Sequence, residues 1–437
     1  MLRPMDGLFA ELARRASSSA RREVDAYARE IPEFGILDVD ARARAETLEY
    51  AVWLRRRTGE LAPTSAELTP SDLTAIAAMG ESRAASGLSL DSRQRVLRLH
   101  TALMLREVNE ATDAQRDGDP DELVRLLGWF AAQGERGIEA YCQGFVAALR
   151  HRLPYMDQVA LLVRALLAGD PMADELARAV GMRVPDHCAV TVIRVPSPRT
   201  PGAERDRGPE GEVEALIKEH QVPLMWSPPT ASTPGELIAL TPLTPAPPAT
   251  PAPTRLPGAR DPEVREPEMR DPEIRDPEVR IPEVLDLIRD FAQSLPTPCA
   301  AGTTTTALPD LPTALDRARR ISRAAPLRRS PARPHTTADV FVELAVADVP
   351  FVDAWLHTLA HRLAPGPDLL LTLDAYYTHD MNRTTTATAL NVHPRTLDYR
   401  LRRVRELTGI APGSTRGVRV LSSVVRRGLS GAWGPRF

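Results

Sequence analysis

Residues 383–409 constrain the fold more than any other stretch, because apolar residues recur there at helical spacing on both sides of a short break. At about 100° per residue, the segment after the break carries one narrow inward stripe of side chains. That stripe consists of Leu397, Leu401, Val404 and Thr408. The segment before the break, 383–390, places Ala387 and Leu390 inward in the same way. Two short helices joined by a tight turn are therefore predicted.

The break contains the residues that such a turn needs. Asn391 adopts the left-handed conformation more readily than most residues, so it can replace the glycine usual at the end of a helix. Pro394 suits the first turn of a helix, where its missing N–H is no loss and its fixed φ fits. A third helix is predicted just upstream, over 368–379. Together these segments predict a helix-turn-helix, a unit that places its second helix in the major groove of DNA.

The outward face of the second helix is basic and aromatic. Opposite the apolar stripe lie Arg395, Tyr399, Arg402 and Glu406. Residues 391–437 contain ten arginines and two acidic residues, whereas the whole chain has a net charge of -3. Such a local excess of positive charge predicts a polyanion site. A solvated basic surface helix is the alternative interpretation of the same pattern.

Two groups of side chains are the candidate DNA contacts. The group expected at base edges is Arg395, Asp398, Tyr399 and Arg402. The group expected at the phosphate backbone is Thr384, Thr385, Thr396 and Arg403. His393 either donates a hydrogen bond to DNA or packs in the turn. Asp398 either accepts from a cytosine amino group or orients Arg402 through an i, i+4 pair.

The same stretch resembles a known family. The string NRTTTATALNVHPRTLDYRLRRVRELTG, residues 382–409, is similar to the C-terminal helix-turn-helix of the PucR/CdaR family of bacterial transcription regulators. The matching positions are Asn382, Thr386, Ala387, Ala389, Leu390, Val392, His393, Thr396, Leu397, Tyr399, Arg400, Leu401, Arg403, Leu407, Thr408 and Gly409. Arg395 stands where the family usually has asparagine, and Asp398 where arginine is common. The resemblance implies a DNA-binding transcription regulator, and the two departures point to an altered base preference.

Residues 8–180 are predicted to form an all-helical N-terminal domain, because apolar residues recur at spacings of three and four between turn signals. The resemblance implies a sensor-like domain here, similar to that of the RsbR stress-response proteins, with a small-molecule effector or a protein as its partner. Four aromatic residues line either a pocket or an ordinary core: Trp53, Trp129, Tyr141 and Tyr155.

Residues 184–345 mix strands with helices and predict a small α/β or α+β domain. Strands are predicted over 188–195, 222–227 and 236–242. Helices are predicted over 212–220, 283–293 and 311–325. The resemblance implies a degenerate GGDEF-like domain, and cyclase activity is not implied because the chain contains no GG[DE]EF string. With a helical C-terminal module over 348–430, the expected protein is multidomain and mainly α.

A proline-rich insertion, 242–282, interrupts the middle domain. It contains a five-residue repeat of the DPEVR type that runs from Asp261 to Leu285. Proline at every fifth position removes a helical donor about once per turn and predicts an extended, polyproline-II-like spacer. Such a spacer either docks a protein partner or is a tolerated low-complexity insertion in a surface loop.

The chain lacks several enzyme motifs: the phosphate-binding loop, the dinucleotide-binding glycine motif, the zinc-protease helix and the nucleophile elbow. A non-enzymatic protein without cofactor or metal is therefore predicted. His357 and His361 lie four residues apart on a helix, but no third ligand is evident, so they are expected to pack or to face solvent. Cys142, Cys188 and Cys299 have no close partner in sequence and are expected to be buried thiols in a reducing compartment.

No apolar run is long enough to span a membrane, and the N-terminus lacks a signal-peptide pattern, so a cytoplasmic protein is expected. The function predicted first is a transcription regulator that binds double-stranded DNA as a homodimer or higher even oligomer, because helix-turn-helix proteins contact paired half-sites. The main alternative is a signalling scaffold that acts through its N-terminal domain and carries a vestigial DNA-binding module. An enzyme that acts on nucleotides through the middle domain is the third candidate.

Overall fold

The computed structural model describes residues 7–37, 41–113, 120–197, 210–230, 233–243 and 282–434. The chain divides into two compact units, one within residues 1–183 and the other within residues 184–437, except that 166–168 group with the second. The described residues are mainly helical, with one small sheet in the second unit. This confirms the predicted mainly α, multidomain fold class.

Helices alone make up the described part of the first unit. Their bounds are α1 Leu8–Glu30, α2 Pro32–Leu37, α3 Ala41–Leu61, α4 Pro70–Ala85, α5 Leu90–Asp113, α6 Pro120–Arg152, α7 Tyr155–Ala168 and α8 Ala173–Val180. Trp129 and Tyr141 are buried core residues, and Nε1 of Trp129 donates to the carbonyl of Ala66 at 2.7 Å. Trp53 and Tyr155 are half-buried. The core alternative therefore holds for two of the four aromatic residues considered above.

Helices α4 and α6 cross with their backbones in contact. A Cβ atom added to Gly80 of α4 would lie 2.1 Å from the carbonyl oxygen of Tyr141 on α6. A Cβ atom added to Gly144 of α6 would lie 1.9 Å from the carbonyl oxygen of Ala77 on α4. Both distances are far below van der Waals contact, so a larger residue at either position would push the two helices apart. The two glycines therefore set the close approach of α4 and α6.

Charged side chains are buried between the helices of the first unit. The guanidinium of Arg55 lies between two carboxylates, with Nη1 2.6 Å from Oε2 of Glu23 and Nη2 2.6 Å from Oε1 of Glu107. Nδ1 of His100 lies 2.8 Å from Oε1 of Glu23. Burial by itself would raise the pKa of the Glu23 carboxyl, but the His100 and Arg55 contacts outweigh it and lower that pKa to about 2. This network keeps a buried carboxylate ionised.

A second buried pair joins α5 to the segment before α8. Nη2 of Arg93 lies 2.6 Å from Oδ2 of Asp170, and both residues are almost fully buried. Nη1 of Arg93 donates to Sγ of Cys142 at 3.3 Å. The other carboxylate oxygen of Asp170 accepts from the backbone N–H of Met172 at 2.9 Å. Because each charge meets its opposite at hydrogen-bond distance, the pair is tolerated in a low-dielectric core.

The second unit begins with a four-stranded sheet. Its elements are β1 His187–Val195, α9 Glu210–His220, β2 Leu224–Ser227, β3 Gly235–Pro242, α10 Pro282–Ser294, β4 Ala300–Ala307 and α11 Leu311–Ala324. The strand order is β2-β3-β1-β4, and every neighbouring pair is antiparallel. This βαββαβ chain order with an antiparallel sheet is the ferredoxin-like arrangement, which is α+β. The predicted insertion lies almost wholly in residues 244–281, outside the described residues.

The sequence does not predict strand β4, because its run of alanine, glycine and threonine has no large apolar residue. Packing explains the small residues. A Cβ atom added to Gly302 would lie 2.5 Å from the backbone nitrogen of Ser322, so α11 lies directly on this strand. On the other face of the sheet, the buried hydroxyls of Thr191 and Thr303 are 2.9 Å apart. The small residues of β4 therefore allow α11 to pack on one face and a pair of threonine hydroxyls to meet on the other.

The second unit continues with six described helices. They are α12 Thr337–Ala347, α13 Pro350–Leu363, α14 Leu369–Thr378, α15 Arg383–Ala389, α16 Pro394–Thr408 and α17 Thr415–Leu429. The sequence predicts α14 to α16 close to these bounds and a helix around His357 and His361 that corresponds to α13, whereas it does not predict α12 and gives no bounds for α17. Residues of five of these helices share one apolar core, which includes Leu356, Leu359, Leu373, Ala387, Leu397, Val404, Leu421 and Val424.

Arg194 of β1 connects the sheet to the C-terminal helices. Its side chain is buried, and its Nε donates to the carbonyl of Ser322 in the last turn of α11 at 3.1 Å. Its Nη2 donates to the carbonyl of Ser430, just after α17, at 2.9 Å. The backbone N–H of Leu327 donates to the carbonyl of Leu429 at 2.9 Å. A cation is favoured at the carboxyl end of a helix. The guanidinium of Arg194 binds carbonyl groups at the carboxyl ends of both α11 and α17.

Candidate DNA-binding interface

The turn between α15 and α16 has the geometry that its residues predict. Asn391 has a φ of 52°, in the left-handed region, and the backbone N–H of Val392 donates to the carbonyl of Ala387 at 3.0 Å. These two features end α15 as a C-terminal glycine would. Pro394 is the first residue of α16, and Gly409 ends that helix with a φ of 72°. The proline therefore begins the second helix, as predicted.

His393 caps the second helix. Its Nδ1 accepts a hydrogen bond of 3.2 Å from the backbone N–H of Arg395. In a neutral ring, an accepting Nδ1 leaves the proton on Nε2, which is then a donor. Because His393 is exposed, that donor is accessible from outside. The two alternatives considered for this residue are therefore compatible, since one ring nitrogen packs in the turn and the other remains available.

The beginning of α15 is open to solvent. The side-chain oxygen of Asn382 accepts from the backbone N–H groups of Thr384 and Thr385 at 3.0 and 3.2 Å, which starts the helix. Both threonines are exposed, and the hydroxyl of Thr385 donates to the carbonyl of Asn382 at 3.2 Å. Thr396, in the first turn of α16, is exposed as well. All three hydroxyl-bearing candidates for phosphate contact are accessible.

Helix α16 is anchored by the predicted stripe and by one arginine. Its buried residues are Leu397, Leu401, Val404 and Thr408. Nη1 of Arg400 donates to Oγ1 of Thr372 on α14 at 3.1 Å, and its Nη2 lies 3.5 Å from Oδ2 of Asp368. The sequence prediction assigns Arg400 no role. Its place directly beside the apolar stripe is the signal that distinguishes it from the outward-facing arginines.

The outer face of α16 presents cations beside an aromatic ring. Arg395 and Arg402 are exposed, and neither has an acidic partner among the described residues. The side chain of Tyr399 between them is 56% exposed. Nη1 of Arg403 donates to Oε2 of Glu406 at 3.0 Å, so this arginine must exchange that partner in order to contact a phosphate. The first two arginines are the freer cations of the face.

Asp398 pairs with an arginine of the other helix. Its Oδ1 lies 3.3 Å from Nη1 of Arg383, the first residue of α15. The sequence prediction considers Arg402 as the partner of Asp398 and misses Arg383, because no regular helical spacing relates two residues across a turn. The observed pair joins the first residue of α15 to the N-terminal half of α16 and leaves Arg402 without this carboxylate as a partner.

Two short helices joined by a tight turn, with a capped second helix that buries one face and exposes a basic one, define a helix-turn-helix DNA-binding unit. Comparisons with known proteins agree. Residues 369–425 match the PucR C-terminal helix-turn-helix domain. Residues 17–154 match the RsbT co-antagonist protein rsbRD N-terminal domain. The resemblance seen in the sequence is thus confirmed towards both ends of the chain, and a PucR-type helix-turn-helix supports a DNA-binding transcription regulator.

Neither match covers the middle domain, so its GGDEF-like character is not confirmed. A crystal structure of a regulator of polyketide synthase expression from Bifidobacterium adolescentis is similar over 63% of this chain and 94% of that chain, at 17% identity and a TM-score of 0.24. A likeness this low carries no conclusion about fold or function. A comparison with curated proteins finds no match.

The structure also locates the residues considered for metal binding. The rings of His357 and Trp433 stack with centroids 5.1 Å apart, and the ring centroid of His361 lies 4.4 Å from that of His357. Within the described ranges, one group of three side chains has ligand atoms close enough to hold a metal ion, and it does not include these histidines: Glu219, His220 and Asp290. In that group, Nε2 of the histidine lies 3.0 Å from Oδ2 of the aspartate.

The three cysteines are free and buried, as predicted. Burial raises the pKa of the thiols of Cys142, Cys188 and Cys299, and that of the last two to about 11. They are therefore protonated, poorly nucleophilic thiols at neutral pH. None of the helices in the described ranges is both long and apolar enough to cross a membrane.

Proposed function

We propose that this protein regulates transcription by binding double-stranded DNA through α15 and α16, with α16 in the major groove. The exposed face of α16 carries the proposal. Its Arg395 and Arg402 have no acidic partner among the described residues, and the buried stripe of the same helix holds this face outward. Exposed cations that no described carboxylate neutralises suit an external polyanion.

The chemistry of the face suits base recognition. The planar guanidinium of an arginine donates two parallel hydrogen bonds to N7 and O6 of guanine, which is the commonest specific contact in the major groove. Arg395 and Arg402 are the candidates for this contact, with Tyr399 beside them. The phosphate strands are then held by exposed groups around the turn: Thr384, Thr385, His393, Thr396 and Arg403. These contacts set the register of the protein on DNA without reading its sequence.

Asp398 needs a separate account, because a bare carboxylate near the beginning of α16 would repel the phosphate backbone. Arg383, 3.3 Å away, neutralises it. The neutralised carboxylate of Asp398 can then accept a hydrogen bond at the surface. In the major groove, the donor would be the amino group of cytosine or adenine. Asp398 and Arg395 are the two departures from the family form, so the base preference of this chain is expected to reside there.

A single helix-turn-helix reads only a few base pairs, so we propose that the protein binds as a homodimer or higher even oligomer. Two-fold related units would contact half-sites about 34–36 Å apart, which is one turn of DNA. A small molecule or a protein bound to the first unit is then the expected effector of the regulator.

Footprinting of the full-length protein on genomic fragments at moderate salt tests the proposal. We expect the wild type to protect a two-fold symmetric site and the double variant Arg395→Ala/Arg402→Ala to protect none. The matched control is Arg289→Ala, which removes an exposed arginine from α10 and should leave the footprint unchanged. Absence of any protected site for the wild type would contradict direct regulation and favour the scaffold alternative. In that case, deletion of residues 366–437 should leave protein partners in pull-downs.

A further inference from the structure

In the described ranges, every exposed phenylalanine or tryptophan lies on one of two successive helices. They are Phe341 of α12 and Phe351 and Trp355 of α13, and their exposed fractions are 63%, 78% and 46%. The other phenylalanine and tryptophan side chains of these ranges are buried or half-buried. Apolar residues exposed singly are normal on a soluble protein, whereas a group of large rings marks an interaction site.

Helix α13 presents one stripe of residues to the core and another to the outside. The inner stripe consists of Leu356, Leu359, Ala360 and Leu363. At about 100° per residue, the outward stripe consists of Phe351, Ala354, Trp355, Thr358 and Arg362, all of them exposed. The hydroxyl of Thr358 donates to the carbonyl of Ala354 at 3.0 Å, and the one charged member, Arg362, lies in the last turn. Covering the stripe would therefore leave few polar groups without a partner.

The exposed rings are large enough to form the centre of a dimer interface. For side chains of this size, the exposed fractions of Phe341, Phe351 and Trp355 correspond to about 400 Å² per protomer. A stable interface buries about 800 Å² on each partner. The three rings therefore supply about half of that area before their smaller neighbours are counted.

Helix α13 also supports the second helix of the helix-turn-helix. Its Leu356 and Leu359 share one core with Leu397 and Val404 of α16. On the neighbouring α17, Nε of Arg427 donates to Oδ1 of Asp353 of α13 at 2.9 Å. A partner bound to the outward stripe of α13 is thus one helix away from α16 and determines where α16 lies relative to that partner.

We propose that the outward stripe of α13, together with Phe341 of α12, is the surface through which two copies of this chain pair. The proposal rests on the DNA-binding function proposed above, because that function requires two reading helices related by a two-fold axis. Such an axis pairs a surface with itself. Apolar rings suit this pairing, because they present no like charges to each other.

The dimensions of such a dimer fit DNA. Helix α13 packs directly on α16, so three successive helix packings separate the two copies of α16. At about 8–10 Å for each packing, the two α16 axes lie up to about 30 Å apart. Helix α16 has 15 residues and is therefore about 22 Å long. Its N-terminal ends can thus reach the separation of about 34–36 Å between half-sites on DNA.

Sedimentation equilibrium of the full-length protein tests the surface. We expect the wild type to be a dimer and Phe351→Glu/Trp355→Glu to raise the dimer dissociation constant by about a hundredfold or more, because carboxylates replace rings in an apolar interface. Both rings are exposed in the single chain, so the circular dichroism of this variant should match that of the wild type.

The matched control for sedimentation is Leu105→Glu/Val124→Glu, which places two carboxylates at exposed apolar positions of the first unit. It should leave the dimer unchanged. An undiminished dimer in Phe351→Glu/Trp355→Glu would overturn the proposal, and so would a wild type that remains monomeric both with and without DNA.

Disulfide cross-linking tests whether the partner is a second copy. A residue near a two-fold axis meets its own copy, so Ala354→Cys, Trp355→Cys or Thr358→Cys should form an intermolecular disulfide under mild oxidation. The native cysteines are buried and do not compete. Thr378→Cys, at the exposed end of α14, should give no cross-linked dimer. Absence of a cross-linked dimer at all three stripe positions would mean that something other than a second copy covers the stripe, and would refute the proposal.

DNA footprinting separates this dimer surface from the DNA-binding function. A wild type that dimerises through α13 but protects no DNA would refute direct regulation and support the dimer surface. A two-fold symmetric footprint that persists unchanged in Phe351→Glu/Trp355→Glu would show that the reading helices pair through another surface. That result would refute the dimer surface alone.

Discussion

The first unit and the helix-turn-helix use arginine in opposite ways. In the first unit, Arg55 and Arg93 are buried and contact carboxylates at 2.6 Å. In the helix-turn-helix, Arg395 and Arg402 are exposed and have no acidic partner among the described residues. Breaking a buried pair leaves the other charge in a low dielectric, so the first kind of arginine stabilises the fold. An exposed cation contributes little to folding and remains available to an external anion. Burial, and not residue type, separates the two roles.

The largest effect on stability is expected for substitution of Arg93. Arg93→Met should reduce the free energy of unfolding by about 3–5 kcal/mol, because Asp170 would keep its charge in the core without a partner. Urea unfolding of the full-length protein followed by circular dichroism measures the loss. The control is Arg289→Met, since Arg289 pairs with Asp286 at 2.7 Å on the surface and such pairs are worth about 0–1 kcal/mol. A loss below about 1 kcal/mol for Arg93→Met would contradict the comparison.

The next largest effect is the contribution of Glu23 to the pH dependence of the free energy of unfolding. The pKa of its carboxyl is lowered from 4.5 to about 2 in the folded protein. A lowered folded-state pKa contributes stability that is complete above pH 4.5 and is lost as the pH falls towards 2, and this shift corresponds to about 3 kcal/mol. Glu23→Gln lacks this contribution. The difference in unfolding free energy between wild type and variant should therefore shrink between pH 5 and pH 3 in urea titrations, and a constant difference would refute the assignment.

Arg402 should affect binding and leave folding unchanged. Arg402→Ala is expected to weaken binding to the footprinted site by about 1–3 kcal/mol and to relax preference at one base pair, while urea unfolding changes by less than about 0.5 kcal/mol. Arg403→Ala should instead weaken binding to all sequences alike and reduce the slope of affinity against salt by about one. Fluorescence anisotropy at several salt concentrations separates the two results. Normal DNA binding together with easier unfolding of Arg402→Ala would mean that Arg402 stabilises the fold and does not contact DNA.

The smallest effect is expected at the pair of Arg383 and Asp398. On folding, an exposed pair of this kind contributes about 0–1 kcal/mol. On DNA binding, Arg383→Ala should cost more in the presence of Asp398 than in an Asp398→Ala background, with a coupling energy of about 0.5–1 kcal/mol, because the bare carboxylate repels phosphate. A double-mutant cycle by fluorescence anisotropy measures this coupling. Additive effects of the two changes would mean that Arg383 does not position Asp398.

Sequence reasoning succeeded best where structure depends on neighbours along the chain. The helical character of the first unit follows from periodicity, and α14 to α16 follow from periodicity together with the turn residues Asn391 and Pro394. Sequence reasoning did not predict β4, because the small residues of this strand are explained only by its packing against α11. Gly302 allows that close contact. It also missed Arg383 as the partner of Asp398, because that pair crosses a turn.

The sequence by itself determined the helix-turn-helix, because all the information lies within a short stretch: an apolar stripe, a left-handed turn at Asn391 and a helix start at Pro394. Only the tertiary structure decided which arginines are available for recognition. Arg93 meets Asp170 from 77 residues away, and Arg194 meets the carbonyl of Ser430 from 236 residues away. Such pairs depend on which surfaces pack together, and no local spacing records that packing.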